Sequence, residues 1–374
     1  MISFLRQCII CFCLVSGIFG GSAQAQGNMI IIGQAIDLSG PNGSIGRDYV
    51  AGITTYFDSI NVSGGVGGRR IKYLVRDDQG VPAQSAQAVT ELIEKDKAEY
   101  LLGGIGAAVT DAVLAAPKFA QSGQTLFAPL VASVKNYNSR VLFWRPSPEQ
   151  EMQYIFSYFD KLGIKSVGIA VQESALNQDM YQYVVAELRK RNMLMSGIVH
   201  ISGTPADMAR ESAVLAKTNP GIVIAISDTL GTGIFLKEFR KYAPRTFVAG
   251  MSLINLDRLA EVAGPTALEW TVFSQVVPNP LSKKSPIQMD HSNMMKKFRD
   301  EDLSSLTFEG FMVAKTLVKG IQMAKPGRDA VQSLAVQKSV IDLGGITVTT
   351  SDGTHRMSSF VDMALFRKGG GLLF

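Results

Sequence analysis

Gly221-Ile222-Val223-Ile224-Ala225-Ile226 sets five apolar residues in a row after its glycine, four of them β-branched, with nothing polar between them. A strand wetted on one face alternates polar with apolar, so an unbroken run of this length suits a strand buried on both faces of a parallel sheet. Ile30-Ile31-Ile32 repeats that character near the start of the chain. Working outward, further β-rich runs stand at 29–36, 71–75, 100–102, 125–128, 166–171, 193–201, 246–249 and 270–277. Segments of helical period separate them. Val50, Ile53, Phe57 and Ile60 stripe one such segment, Met152, Ile155, Phe159 and Leu162 a second, and Phe311, Ala314, Leu317 and Ile321 a late one. Ser147-Pro148-Glu149-Gln150 opens a helix with a hydroxyl cap, a proline at the first helical position and an amide that can bond back, and Thr204-Pro205-Ala206-Asp207 opens another in the same style. About four βα units precede Trp144 and four follow it, which makes an α/β chain. Two doubly wound sheets facing each other place a ligand in the crevice at the carboxyl ends of their strands.

The chain of 374 residues suits two domains of ordinary size, and 46% hydrophobic with 18% charged residues excludes disorder or a fibrous repeat. All 3 cysteines, Cys8, Cys11 and Cys13, fall in the opening segment. That segment reads as an export signal: Arg6 before a largely apolar run over 8–19, then Ala23-Gln24-Ala25 as the small-residue cleavage pattern. Cleavage is expected after Ala25, leaving a protein free in the periplasm and not lipid-attached, because no cysteine lies near Ala25. A membrane anchor needs roughly 20 apolar residues, and Gly17, Gly20, Gly21 and Ser22 interrupt this run early. The net charge of +5 is scattered over short basic pairs, so no nucleic-acid partner is expected.

Catalytic patterns fail one by one. His200, His291 and His355 stand far apart with no second ligand at metal spacing, so no metal is expected. Without cysteines after residue 25 there is no thiol nucleophile. Gly104-Ile105-Gly106-Ala107-Ala108-Val109 half resembles a dinucleotide fingerprint, but it lacks the third glycine and follows the third strand. No cofactor and no enzyme activity are expected. What survives is a helix N-terminus whose backbone N–H groups can face an anion.

Several strings together resemble the leucine/isoleucine/valine-binding protein family, the type I periplasmic solute-binding proteins of ABC transporters. They are Leu38-Ser39-Gly40-Pro41, Ile60-Asn61, Gly64-Gly65-Val66-Gly67-Gly68-Arg69-Arg70 and Arg76-Asp77-Asp78. Gly103 to Thr110, Ala128-Pro129-Leu130, Ser274-Gln275-Val276-Val277-Pro278 and Phe308-Glu309-Gly310-Phe311 through Lys319-Gly320-Ile321 continue the match in order along the chain. The resemblance implies the type I periplasmic-binding-protein fold, two doubly wound Rossmann-like lobes joined by a three-strand hinge. Lobe 1 is then 27–142 plus 277–347 and lobe 2 is 143–276 plus 348–374, with residues 1–25 as signal peptide and crossovers near 141–145, 273–279 and 346–350. Asp78 also has a simpler reading, as the acid that caps the turn before Pro82.

The same resemblance implies that an amino-acid ligand has its carboxylate held by hydroxyls and amides of two first-lobe loops and its ammonium by a second-lobe acid. The hydroxyl positions fall on Ala107, with Ala108 beside it, and near Ala132, after Leu130; Thr110 and Ser133 are close enough to substitute. The acid falls near Met251-Ser252, where none stands, and Asp228, one strand earlier, is the nearest candidate; Ser227 and Gln172 are candidates too. The covering aromatic positions map near Ile45 and Leu176, and Phe308 completes the set. Simpler readings exist: Ala107 and Ala108 as tight helix packing, Gln172 as a loop end, Ser227 as a cap, Phe308 as core. A buried ammonium without an acceptor costs several kcal/mol. The expected ligand is therefore a solute less zwitterionic than leucine: amino-acid-like, an amide, or an apolar or aromatic carboxylate. The expected role is capture by a monomer and delivery to an inner-membrane ABC permease. A sensor that signals to a receptor or regulator uses the same crevice, and a secreted α/β enzyme is a third reading.

Overall fold

The computed structural model describes residues 29–374 except 132–139, 202, 325–328, 337–339, 350–354 and 368–371, and describes the backbone alone at 175 and 176. A first sheet is built from β1 (Met29–Ile36), β2 (Arg70–Asp77), β3 (Tyr100–Leu102), β4 (Leu126–Phe127) and β5 (Val141–Leu142), in the order β2-β1-β3-β4-β5. All its pairs are parallel. Helices α1 (Gly43–Val62), α2 (Pro82–Glu94), α3 (Ala107–Ala115) and α4 (Pro117–Ser122) connect them. A second parallel set follows: β6 (Ser166–Val171), β7 (Leu194–His200), β8 (Ile222–Ile226), β9 (Phe247–Gly250) and β10 (Thr271–Gln275), in the order β10-β9-β8-β6-β7. Its helices are α5 (Pro148–Lys161), α6 (Ala175–Lys190), α7 (Pro205–Lys217), α8 (Thr229–Phe239) and α9 (Leu256–Ala263). The apolar run 222–226 is buried at all five positions in the middle of that sheet, as its composition requires.

The chain then returns to the first core. α10 (Pro286–Phe298), α11 (Ser305–Met323) and α12 (Ala330–Val336) carry Ile287, Phe308, Phe311, Val313 and Leu334 into the same apolar cluster as Ile30, Ile32, Phe127 and Leu142. α1 and α11 cross at a seam of glycines: a Cβ on Gly52 would stand 1.9 Å from the Thr307 carbonyl oxygen, and one on Gly310 would stand 2.1 Å from that of Tyr49. A small hairpin of β11 (Val340–Asp342) and β12 (Thr347–Thr349) follows, its turn fastened by Asp342, whose carboxylate accepts from the Gly344 and Gly345 amides at 2.9 Å. Finally β13 (Asp362–Phe366) and β14 (Leu372–Leu373) add two antiparallel strands to the second sheet beyond β10.

Passages between the cores run where Phe143 to Pro146 leaves β5, where Val276 and Val277 leave β10, and after Met357. The third was expected at 346–350, but Val348 and Met357 both pack in the first core, while Met363 packs in the second. The hairpin, invisible as alternation, displaces that passage by about ten residues. The first and third passages are bonded to each other: Phe143 N donates to His355 O, Met357 N to Phe143 O and Ser358 N to Trp144 O, at 2.8, 3.0 and 2.8 Å. Among the described residues no helix is long and apolar enough to cross a membrane.

His291 on α10 is wholly buried, stacked on Phe308 at 4.9 Å with Nε2 3.1 Å from the Thr307 hydroxyl. Burial pushes its imidazole down to about 4 from 6.5. The folded state resists the proton that the unfolded chain accepts below pH 6.5. This contribution is therefore complete above that pH and lost as pH falls from 6.5 towards 4. It amounts to about 3 kcal/mol over the window. Urea midpoints measured between pH 7 and 4.5 are expected to fall less steeply in His291→Gln than in the wild type; parallel profiles overturn the assignment.

Candidate functional site

Both sheets have the same winding, so both reverse direction at an inner pair of strands: β1 and β3 in the first, β6 and β8 in the second. Ligand crevices open beyond the carboxyl ends of such pairs. On the first-lobe side the loops after β3 and β4 are zipped together, Leu130 N donating to Gly104 O and Gly106 N to Leu130 O, both at 2.9 Å. Gly106, at φ +100°, turns the chain into α3. Such a φ suits glycine, because an L side chain rarely adopts it. No side chain caps α3, so its first-turn N–H groups face outward with the positive end of the helix dipole. Ala108 is exposed there, and Ala107 leans on Val131, Val141 and Phe143.

Second-lobe residues meet at the ends of β6 and β8. Gln172 and Asp228 are paired twice: Asp228 N donates to Gln172 Oε1 at 3.0 Å, and Gln172 Nε2 donates to Asp228 Oδ2 at 3.1 Å. Asp228 is also the N-cap of α8, accepting from Gly231 N at 2.7 Å, and Ser227 shares a 2.7 Å hydrogen bond with Thr232. Asp228 is thus a capping acid that already accepts from two donors.

Four expected positions are bonded or packed within their own lobes. Thr110 is buried and its hydroxyl donates to Gly106 O at 2.9 Å, so the helix's own carbonyl, and no ligand, takes that proton. Leu130 and Phe308 belong to the first core, and Met251 packs on the core of the second lobe. Ala132 and Ser133 lie outside the described residues, as does the side chain of Leu176.

Ile45 and Ser252 come together elsewhere. They line a cavity of about 420 Å³ between the start of α1, the start of α11, the loop from β9 into α9, and β10. Its apolar wall includes Ile254, Phe273, Leu281 and Leu306; its polar positions include Asp48, Asn255, Asp257, Gln275 and Ser304. Asp48 Oδ2 accepts from Ser304 Oγ at 2.7 Å, tying α1 to α11 at the rim. Burial, then the charges of Asp257 and Glu301, push the Asp48 carboxyl up, against the Ser304 hydrogen bond and Arg47. Behind Ser252 stands a sealed charge network. Arg145, in the first passage, grips Glu309 of α11 through Nε and Nη2 at 3.0 and 3.2 Å, with both side chains 3% exposed. Its Nη2 also reaches Ser252 Oγ at 3.3 Å, while Glu151 of α5 accepts from Ser252 N at 2.9 Å and Ser274 Oγ at 2.5 Å. Burial opposes the Arg145 charge, but the Glu309 and Glu151 carboxylates outweigh it and hold the guanidinium above its ordinary range.

Sequence reading missed Arg145, Glu309, Asp48 and Asp257. A signal existed for the first two, since Phe143-Trp144-Arg145 and Phe308-Glu309-Gly310-Phe311 each set one charge inside an apolar run. Among the described residues no group of three His, Cys, Asp or Glu side chains is placed to hold a metal.

The sequence profile described as periplasmic binding protein matches residues 30–370. The chain belongs to the periplasmic binding protein family. That family comprises solute-binding rather than enzymatic proteins, as the type I resemblance implied. The fold agrees with solved relatives. A possible leucine/isoleucine/valine-binding protein from Rhodopirellula baltica superposes with TM-score 0.78 at 20% identity, over 94% of this chain and 98% of that one. A substrate-binding periplasmic protein from Ralstonia solanacearum gives 0.77 at 23%, over 92% and 99%. An amino acid binding protein of Pseudomonas aeruginosa is 34% identical over 89 residues, which is 24% of this chain and 24% of that protein. The binding protein described here thus has the two-lobed type I architecture.

Proposed function

We propose that this periplasmic binding protein captures a small organic solute between its lobes and delivers it to an inner-membrane ABC permease by hinge closure. The single observation that carries the reading is the matched winding of the two sheets, with two loop constellations at the reversal points. Lobe 1 is taken as 27–142 plus 277–357 and lobe 2 as 143–276 plus 358–374, the last boundary following Met357. The export-signal pattern read in the sequence over 1–25 supports a periplasmic address.

Binding a solute to both lobes shifts the open and closed populations by the extra contacts of the closed form, and a permease can recognise that form. The description of one structural relative as a possible leucine/isoleucine/valine-binding protein supports an amino-acid-like solute, and the lack of an acid at Met251-Ser252 supports an amide or an apolar or aromatic carboxylate. The uncapped α3 N-terminus supports a carbonyl or carboxylate oxygen in the first lobe. Mass spectrometry of solute that co-purifies with the protein, followed by thermal unfolding with that solute, tests the proposal. At 100 times its dissociation constant a true ligand adds about 2.7 kcal/mol. If no small solute shifts the melting point or compacts the protein in X-ray scattering, the reading fails.

A further inference from the structure

The cavity between α1, α11, α9 and β10 has a charge pattern that the crevice loops lack. Each lobe contributes one acid to its wall: Asp48 from α1 and Asp257 from the first turn of α9. Arg367 also borders the cavity and, like Asp257, is exposed; two acids against one base leave the balance of these formal charges negative. Asp48 has one oxygen engaged by Ser304 and one left over. Ile45, Ile254, Phe273 and Leu306 give the cavity an apolar wall, beside the neutral polar side chains of Asn255 and Gln275. Like charges facing each other from two lobes oppose approach of the lobes unless a cation sits between them. A cavity of about 420 Å³ accepts a compact organic molecule.

We propose, resting on the solute-capture reading, that the cavity selects a solute of net charge +1, an apolar amine or amino amide whose ammonium lies between Asp48 and Asp257. The acid missing at Met251-Ser252 is replaced by two acids, one per lobe. The ammonium is then the bridge that makes closure favourable, and the apolar body of the solute fills the wall from Ile254 to Leu306. A carboxylate on the same carbon frame adds a third negative charge to that enclosure.

Isothermal titration of the full protein with leucinamide, isopentylamine, leucine and 4-methylvalerate tests this on one side-chain shape. Leucinamide and isopentylamine are expected to bind at least tenfold tighter than leucine, and 4-methylvalerate not at all. Asp48→Asn, which retains an acceptor for Ser304, and Asp257→Asn are each expected to weaken leucinamide at least tenfold. Leucine or the carboxylate binding tighter than the amines overturns the inference on the wild-type protein alone, whether or not the variants fold. So does an unchanged affinity in folded variants, or a co-purified solute that is an anion; these last outcomes leave capture itself standing. Absence of any binding in the series also overturns the amine assignment, and with no co-purified solute it removes the capture reading too.

Discussion

Glu309→Leu is expected to cost about 3–5 kcal/mol of unfolding free energy, the usual penalty for stranding one member of a buried ion pair. Glu309 and Arg145 are both 3% exposed and joined by two hydrogen bonds, so removing the carboxylate leaves a guanidinium in a site that water does not reach. Glu151 also acts on Arg145 but is occupied by Ser252 and Ser274. Arg145→Leu is expected to cost a similar amount. The double variant Arg145→Leu/Glu309→Leu is expected to recover most of the loss, because an apolar pair of similar volume removes the desolvation cost of both charges. Chemical denaturation of the four proteins measures the coupling. A single variant losing under about 1 kcal/mol would show that the pair is hydrated and that the passage is not sealed.

The second large effect lies at the seam of α1 and α11. Gly52 sits inside a helix, where alanine normally adds about 1 kcal/mol by propensity. Here the sign reverses. The added methyl would meet the Thr307 carbonyl oxygen at 1.9 Å, and that atom belongs to a helix backbone that cannot swing aside. Gly52→Ala is expected to lose at least about 3 kcal/mol, the upper end of overpacking costs, and Gly310→Ala about as much against Tyr49. Thermal unfolding reads both. A Gly52→Ala protein that melts higher than the wild type overturns the close-contact account and leaves only the propensity term.

Sequence patterning located what depends on local chemistry. β3 and β6 begin and end where their apolar runs do, and Ser147 forms the capping box with Gln150 that the tetrapeptide spells out. Strand ends also picked out Gln172, Ser227 and Asp228 as candidates, and the fold pairs Gln172 with Asp228. What escaped depends on orientation or on distance along the chain. An apolar residue at a strand end can face the core or the crevice, and the residue type does not distinguish them, which is why Leu130 and Phe308 read as candidates and are found packed in the first core. Arg145 and Glu309 are 164 residues apart, and only the folded chain makes them a pair. β13 mixes apolar and polar residues without alternation and joins its sheet antiparallel, so it carries no period to read.

The return of α11 to the first core sets an order of assembly. Asp48 and Ser304 bond across 256 residues, and the α1 seam closes only when residues beyond 310 are present. The stretch from α5 to β10, by contrast, contains five parallel strands of the second sheet and their five helices. As the polypeptide emerges from amino to carboxyl end, the nested lobe has most of its partners in hand while the outer one still waits for its last helices. For that interval α1 shows its glycine groove and Tyr56, the ring that later meets Phe311, to solvent. The outer lobe is then the part of the nascent protein that a holding chaperone would protect.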